Sequence, residues 1–188
     1  IQGVTEFLPI SSQSHLILSS YLLGLKDQGL GFDIALHFGS LIAILIYYRK
    51  EIRSLFSFSD EGLNYLRLII IGSIPLPIIG LLFIDIVSQN MRSVLSIASM
   101  TLLFGIILYL ADVRKKEVVT KFSNISVYTI IFIGLMQTLA IMPGVSRSGI
   151  VITAALLANF SREDSIKIAF LLSIPAIFMA TVYQSMQL

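Results

Sequence analysis

The sequence predicts an all-α integral membrane protein, a multi-span helical bundle with two inverted repeats, each carrying a re-entrant helical hairpin. Three observations predict it. Of 188 residues, 56% are hydrophobic and 13% charged, with a mean hydropathy of +0.90, which is too apolar for an ordinary soluble domain. Apolar runs of membrane-crossing length recur along the chain. One loop also occurs twice: Pro9-Ile-Ser-Ser-Gln-Ser-His15 aligns without a gap to Pro143-Gly-Val-Ser-Arg-Ser-Gly149 at an offset of 134. The alignment pairs Pro9 with Pro143, Ser12 with Ser146 and Ser14 with Ser148. Downstream, Leu22-Leu23 falls on Leu156-Leu157 and Ile34-Ala35 on Ile168-Ala169.

The whole chain, 1–188, reads as one transmembrane domain, with repeat 1 over about 1–111 and a partial repeat 2 over about 125–188. Ile1 to Leu8 reads as a helix end stopped by Pro9, with Gln2 and Glu6 four apart on one face. Ser14 to Leu23 covers only about 15 Å as a helix, half of a ~30 Å hydrocarbon core. Residues 1–23 therefore read as a re-entrant hairpin whose tip is buried in protein, where irregular backbone is tolerated.

Spans are expected at 32–48, 68–84 and 93–111, the second kinked by Pro75 and Pro77. Arg49, Lys50 and Arg53 close the first span; Arg114, Lys115, Lys116 and Lys121 follow the third, in a loop at 112–124. Between the second and third spans, Asp85 to Arg92 holds one basic residue. The positive-inside rule puts the two basic loops in the cytoplasm and the Asp85 loop outside, so the first hairpin enters from the outer side. Residues 125–160 form the second hairpin: Ile125 to Ile141 rises, and Ser148 to Phe160, about 20 Å long, is too short to cross. A span at 165–186 runs opposite to 32–48, which makes the repeats inverted, a plan in which broken helices meet near the bilayer midplane. Because Ile1 opens inside a motif and the second repeat stops after one span, a fragment of a longer chain is expected.

A net charge of +2 gives no argument for nucleic acid, and the absence of cysteine excludes a disulfide framework or a thiolate metal site.

The two tips carry the candidate chemistry. Lys121 is the charge before Arg147 and Arg162 the charge after it, so this guanidinium falls at membrane depth, where a charge costs about 3 kcal/mol or more. Gly144 lets the backbone come close to a ligand, the Ser146 and Ser148 hydroxyls donate hydrogen bonds, and a guanidinium matches the paired oxygens of a phosphate. Joined at the midplane, the tips set Gln2, Glu6, Ser11, Ser12 and His15 against Ser146, Arg147 and Ser148. A carboxylate there can bind a hard divalent cation, and an imidazole can act as nucleophile or as acid and base. This is a phosphoryl-transfer set, without a Walker loop or HExxH.

Each residue also has a plainer reading. Arg147 can satisfy carbonyls between helices, although the repeat and the flanking Ser/Gly pattern weigh against that. A buried histidine bonded to a carbonyl would account for His15 standing alone, and His37, near the outer start of the first span, reads as structural or as supporting the site residues from behind. Ser11 and Ser14 can cap the helix after Pro9, and Glu6 can be an interfacial carboxylate.

Gln2-Gly-Val-Thr-Glu-Phe-Leu-Pro-Ile-Ser-Ser-Gln-Ser-His15 and Pro143-Gly-Val-Ser-Arg-Ser-Gly149 resemble the two signatures of the undecaprenyl-diphosphate phosphatase family, the bacitracin-resistance phosphatases. The likeness covers nearly the whole chain, including Leu36-His-Phe-Gly-Ser40 leading into a span closed by Arg49-Lys50. It implies a multi-pass enzyme of the plasma (inner) membrane with an outward-opening site. Such an enzyme hydrolyses undecaprenyl diphosphate to the monophosphate and recycles the lipid carrier of cell-wall synthesis. It also implies a divalent cation, Mg2+ or Ca2+, and catalytic roles for Glu6, Ser12, His15 and Arg147. Phosphate binding would fall to Ser11, Gly144, Ser146, Arg147 and Ser148, and metal or water handling to Gln2 and Glu6. Three positions depart from the pattern: Gln2 stands where glutamate is frequent, and Gln13 and Ser14 where threonine and glycine are common. The expected partners are the polyprenyl diphosphate and membrane lipid, with a homodimer left open. The competing reading is an inverted-repeat transporter of an anion or lipid phosphate, to which an imidazole and a carboxylate converging on one phosphate are of less use.

Overall fold

The computed structural model describes residues 1–12, 14–16, 23–24, 30–56, 59–91, 93–114 and 120–187. Most of the expected second arm of the first hairpin, with Gln13, lies outside them, as do Lys115 and Lys116. Among the described residues the protein is helical and holds no strand; Thr120, whose amide donates to the Asn159 carbonyl at 2.9 Å, forms an isolated bridge to Phe160.

The chain begins with a single turn of helix, α1 (Gln2–Thr5), and then turns over residues 6–9, so the helix stops earlier than the expected Leu8. Helix α2 (Leu30–Tyr47) covers the first expected span, with an apolar stretch of Ile34–Tyr47. The basic residues after it form a short helix, α3 (Arg49–Leu55), instead of a loop, anchored by the buried Tyr48 and Leu55.

Helices α4 (Asp60–Ser73) and α5 (Pro75–Asn90) are joined through Ile74, whose backbone is helical. Together they give a candidate membrane span over Asp60–Val87, longer than the expected 68–84. Two features lengthen it. The Ser59 hydroxyl caps the start by accepting from the Gly62 amide at 3.1 Å, and Asp60 and Glu61 favour the positive end of the helix dipole. Pro75 sits at the start of α5, where its missing N–H costs little. Asp85 consequently lies within α5, not in a loop.

Helix α6 (Val94–Val113), capped by Ser93, fits the expected third span within two residues. After a short 3-10 turn at Phe122–Asn124, α7 (Val127–Gln137) starts at the Ser126 cap and tightens into a 3-10 turn at Thr138–Ile141. Helix α8 (Arg147–Leu157) has 11 residues, about 16 Å of helix, and cannot cross a bilayer. It stops before the expected Phe160 because Asn159 turns left-handed (φ 67). The Asn159 amide then donates to the Leu156 carbonyl and the Phe160 amide to the Ala155 carbonyl, a Schellman stop. Helix α9 (Arg162–Ser185) begins three residues earlier than expected. The Ser161 hydroxyl caps the Asp164 amide at 3.0 Å and takes the charged Arg162, Glu163 and Asp164 into the first turn.

Among the described residues, three helices are long and apolar enough to cross a membrane: Asp60–Val87, Val94–Val113 and Arg162–Ser185. Leu81, Leu82, Leu95 and Leu102 point outward, as lipid-facing residues do. The main core gathers α7, α8 and α9 through Ile133, Val151, Leu156, Ile168 and Leu172, so α8 is enclosed on nearly every side. Helices α4 and α7 cross backbone to backbone at Gly72 and Gly134, where a Cβ on Gly134 would run into the Gly72 carbonyl oxygen. These contacts fix α8, and with it the start of the helix that carries Arg147.

Candidate active site

The two Ser-rich loops touch at their tips. The Ser148 hydroxyl donates to the Leu8 carbonyl at 2.9 Å, the Ser146 hydroxyl reaches the same oxygen at 3.4 Å, and Pro9 lies against Gly149. Ser146 is also the N-cap of α8, accepting from the Gly149 amide at 3.2 Å. Its position outside the first turn lets the next residue, Arg147, leave the helix toward the other loop. Gly144 holds a left-handed φ of +97, and a Cβ there would strike the Ile97 carbonyl oxygen of α6. Its own carbonyl accepts from the Thr101 hydroxyl at 3.0 Å. The loop is therefore pinned to α6 on one side and to Leu8 on the other.

Glu6 is the hub of the site. Arg147 Nη2 donates to Glu6 Oε1 at 2.7 Å, while the Ser12 hydroxyl at 2.7 Å and Gln2 Nε2 at 2.8 Å both donate to Oε2. Gln2 and Glu6 are buried, and the Arg147 side chain is only 15% exposed. A carboxylate held this way is compensated on both oxygens, which is what allows an ion pair to persist away from water. Two polar atoms beside it are buried without a partner, Arg147 Nη1 and Gln2 Oε1.

These groups open onto a cleft of about 340 Å³, lined by Gln2, Glu6, Ser11, Ser12, Ser146 and Arg147 from the two loops. Helices α5 and α9 contribute apolar residues, among them Leu76, Ile84, Ala176 and Ala180. Of the residues singled out from sequence, these six share one cleft. Ser148 and Gly144 stand behind it, holding the loop. Ser11 has a left-handed φ of 53, and its hydroxyl pairs with that of Ser14 at 2.9 Å. His15 turns its Nδ1 to the Ser11 carbonyl at 2.9 Å and is not among the cleft-lining residues, whereas His37 is.

Two polar lining residues, His37 and Gln184, were not assigned to the site by sequence. His37 sits inside the Leu36-His-Phe-Gly-Ser40 stretch and could have been placed by that motif. Gln184 has no local signal beyond being an amide near the end of an apolar helix.

Among the described residues no group of three His, Asp or Glu gathers, so no all-protein cage is formed. Glu6 with the unpartnered Gln2 Oε1 does suit a magnesium-like ion that takes few protein ligands and completes its shell with phosphate and water.

Comparison with known proteins places the chain in a family. The family model for the bacitracin resistance protein BacA matches residues 1–188. The chain is 43% identical over 199 residues to undecaprenyl-diphosphatase 1 of Pseudoalteromonas translucida (strain TAC 125), covering 100% of this chain and 74% of that protein. It is 42% identical to the undecaprenyl-diphosphatase of Saccharophagus degradans, with the same coverage. To that of Elusimicrobium minutum it is 47% identical, over 97% of this chain and 71% of that protein. Both Ser-rich loops and the ion pair between them fall within the matched residues, and the chain belongs to the bacitracin resistance protein BacA family.

Proposed function

We propose that this protein is a membrane phosphatase that hydrolyses undecaprenyl diphosphate to undecaprenyl phosphate and inorganic phosphate, returning the lipid carrier to cell-wall polymer synthesis. The observation that carries this is the Glu6–Arg147 ion pair, which joins the two loops at the wall of a cleft with a polar floor and apolar sides.

The terminal phosphate takes its hydrogen bond from Arg147 Nη1, the guanidinium nitrogen that Glu6 leaves over. The short Ser12–Glu6 hydrogen bond suits a nucleophile paired with its base. Ser12 Oγ attacks the terminal phosphorus as its proton passes to Glu6, the bond to the bridging oxygen breaks, and the lipid leaves as its monophosphate. Glu6 passes that proton to the leaving oxygen; water then releases inorganic phosphate from Ser12, with Glu6 taking the water's proton and returning it to Ser12 Oγ. His15, tied to the Ser11 carbonyl and set back from the cleft lining, holds the bend that aims Ser12. Glu6 and Gln2 would hold a divalent cation, Mg2+ or Ca2+, whose charge would offset that of the phosphates.

We read residues 1–23 and 125–160 as re-entrant hairpins of two inverted repeats in the plasma membrane. The shortness of α8 and the tip-to-tip contact support this reading. The cleft wall extends to Val87 and Gln184, in the last turns of α5 and α9, the ends that the charge asymmetry assigns to the outer face. That supports a site opening outward.

The test is phosphate release from a C55 prenyl diphosphate by the whole protein purified in detergent. Cation-dependent turnover is expected. A folded protein that releases no phosphate would overturn the enzyme reading, and lipid-phosphate transport in proteoliposomes would be measured next.

A further inference from the structure

Eight polar side chains line the cleft among the described residues, and six of them belong to the two Ser-rich loops. The other two, His37 of α2 and Gln184 of α9, belong to neither motif. Helices α2 and α9 pack side by side. Gln184 follows Ala176 and Ala180 at four-residue steps, so it stands on the face of α9 that borders the cleft.

The loops alone are short of donors for a diphosphate. Ser148 donates to the Leu8 carbonyl, Ser12 to Glu6, one of Ser11 and Ser14 to the other, and Ser146 reaches the Leu8 carbonyl at 3.4 Å. Arg147 Nη1 is the charged donor of these loops that is buried without a partner. His37 lines the same cleft as Glu6, and an imidazole can donate from either nitrogen according to its tautomer. Gln184 has its Oε1 buried without a partner; turning the amide by half a turn presents Nε2 at the same place. Ala176, Ile177 and Ala180 beside it form an apolar wall suited to the lipid end of the substrate.

We propose that His37 and Gln184 form a second anchoring point in this site, donating to the phosphate that stays on the prenyl chain while Arg147 holds the phosphate that is removed. This rests on the phosphatase reading and deepens it: recognition is of a diphosphate, with one set of donors for each phosphate.

The test compares wild type, His37→Ala, His37→Gln and Gln184→Ala in the whole purified protein, measuring kcat and KM for a prenyl diphosphate and inhibition by each product. For His37→Ala, KM rises about tenfold, the worth of one hydrogen bond to a charged group. Inhibition by prenyl monophosphate weakens by a similar factor, while inhibition by inorganic phosphate is unchanged. His37→Gln, which keeps a donor, recovers most of the affinity, and Gln184→Ala reproduces the shift from a separate helix should His37→Ala fold poorly. Unchanged KM and product inhibition in both alanine variants would overturn the proposal, as would equal weakening of both products or a loss confined to kcat. A wild type without turnover would overturn the phosphatase reading itself, and this inference with it.

Discussion

Glu6 and Arg147 stand 141 positions apart in the chain and meet at 2.7 Å in an ion pair that joins the two loops. Breaking the pair strands a buried charge. Glu6→Ala is therefore expected to cost stability as well as activity, about 3–5 kcal/mol for an uncompensated buried partner. A thermal-unfolding midpoint in detergent equal to that of wild type would count against the pair as a structural tie.

Arg147→Ala and Arg147→Lys address the chemistry. The guanidinium serves Glu6 through Nη2 and leaves Nη1 for phosphate, a fork that an ammonium does not reproduce. Both variants are expected to lose at least a hundredfold in kcat/KM, about 2.7 kcal/mol of barrier. Activity of the lysine variant near that of wild type would show that charge alone suffices.

Ser12→Ala removes the hydroxyl that donates to Glu6 at 2.7 Å. As nucleophile and base, the two residues act as a unit, so Ser12→Ala, Glu6→Gln and the double variant should fall to nearly the same residual rate. Single-turnover phosphate release with additive losses would separate their roles and remove Ser12 as the nucleophile.

The apolar runs made the crossing helices legible, because a bilayer demands length and hydropathy and little else. Their ends were less legible. Ser59 and Ser161 extend α4 and α9 into charged residues that read as loop, and Asn159 stops α8 early, since a cap acts through local hydrogen bonds that hydropathy does not register. The loops disclosed Glu6, Ser12 and Arg147 because serine, glycine and a charge inside an apolar run need a reason to be there. They did not disclose that His37 lines the cleft while His15 turns to the Ser11 carbonyl: both are lone histidines, and only packing of α2 against α9 separates them.

Gly144 is predicted to be intolerant of a side chain. Its φ of +97 strains any L-residue, and the Ile97 carbonyl oxygen occupies the place of a Cβ. Gly144→Ala should lower stability by about 1–3 kcal/mol and displace the loop that carries Ser146 and Arg147. Activity should fall further than stability alone explains. An unchanged melting midpoint would show that the loop has room to adjust.

The proposed cation gives a prediction at Gln2. Both oxygens of Glu6 are already engaged, and Gln2 Oε1, a neutral ligand, is buried without a partner. A cation held by one carboxylate, one amide and the substrate binds weakly enough that a chelator should abolish turnover and added Mg2+ or Ca2+ restore it. Gln2→Glu places a second carboxylate at the same point and should lower the cation concentration needed for half-maximal activity; Gln2→Ala should raise it, in each case by about tenfold. The measurement is the cation titration of phosphate release at fixed substrate. If the titration midpoint ignores residue 2, the ion is held elsewhere; if chelator leaves turnover intact, Arg147 and the dipole at the start of α8 carry the phosphate charge without it.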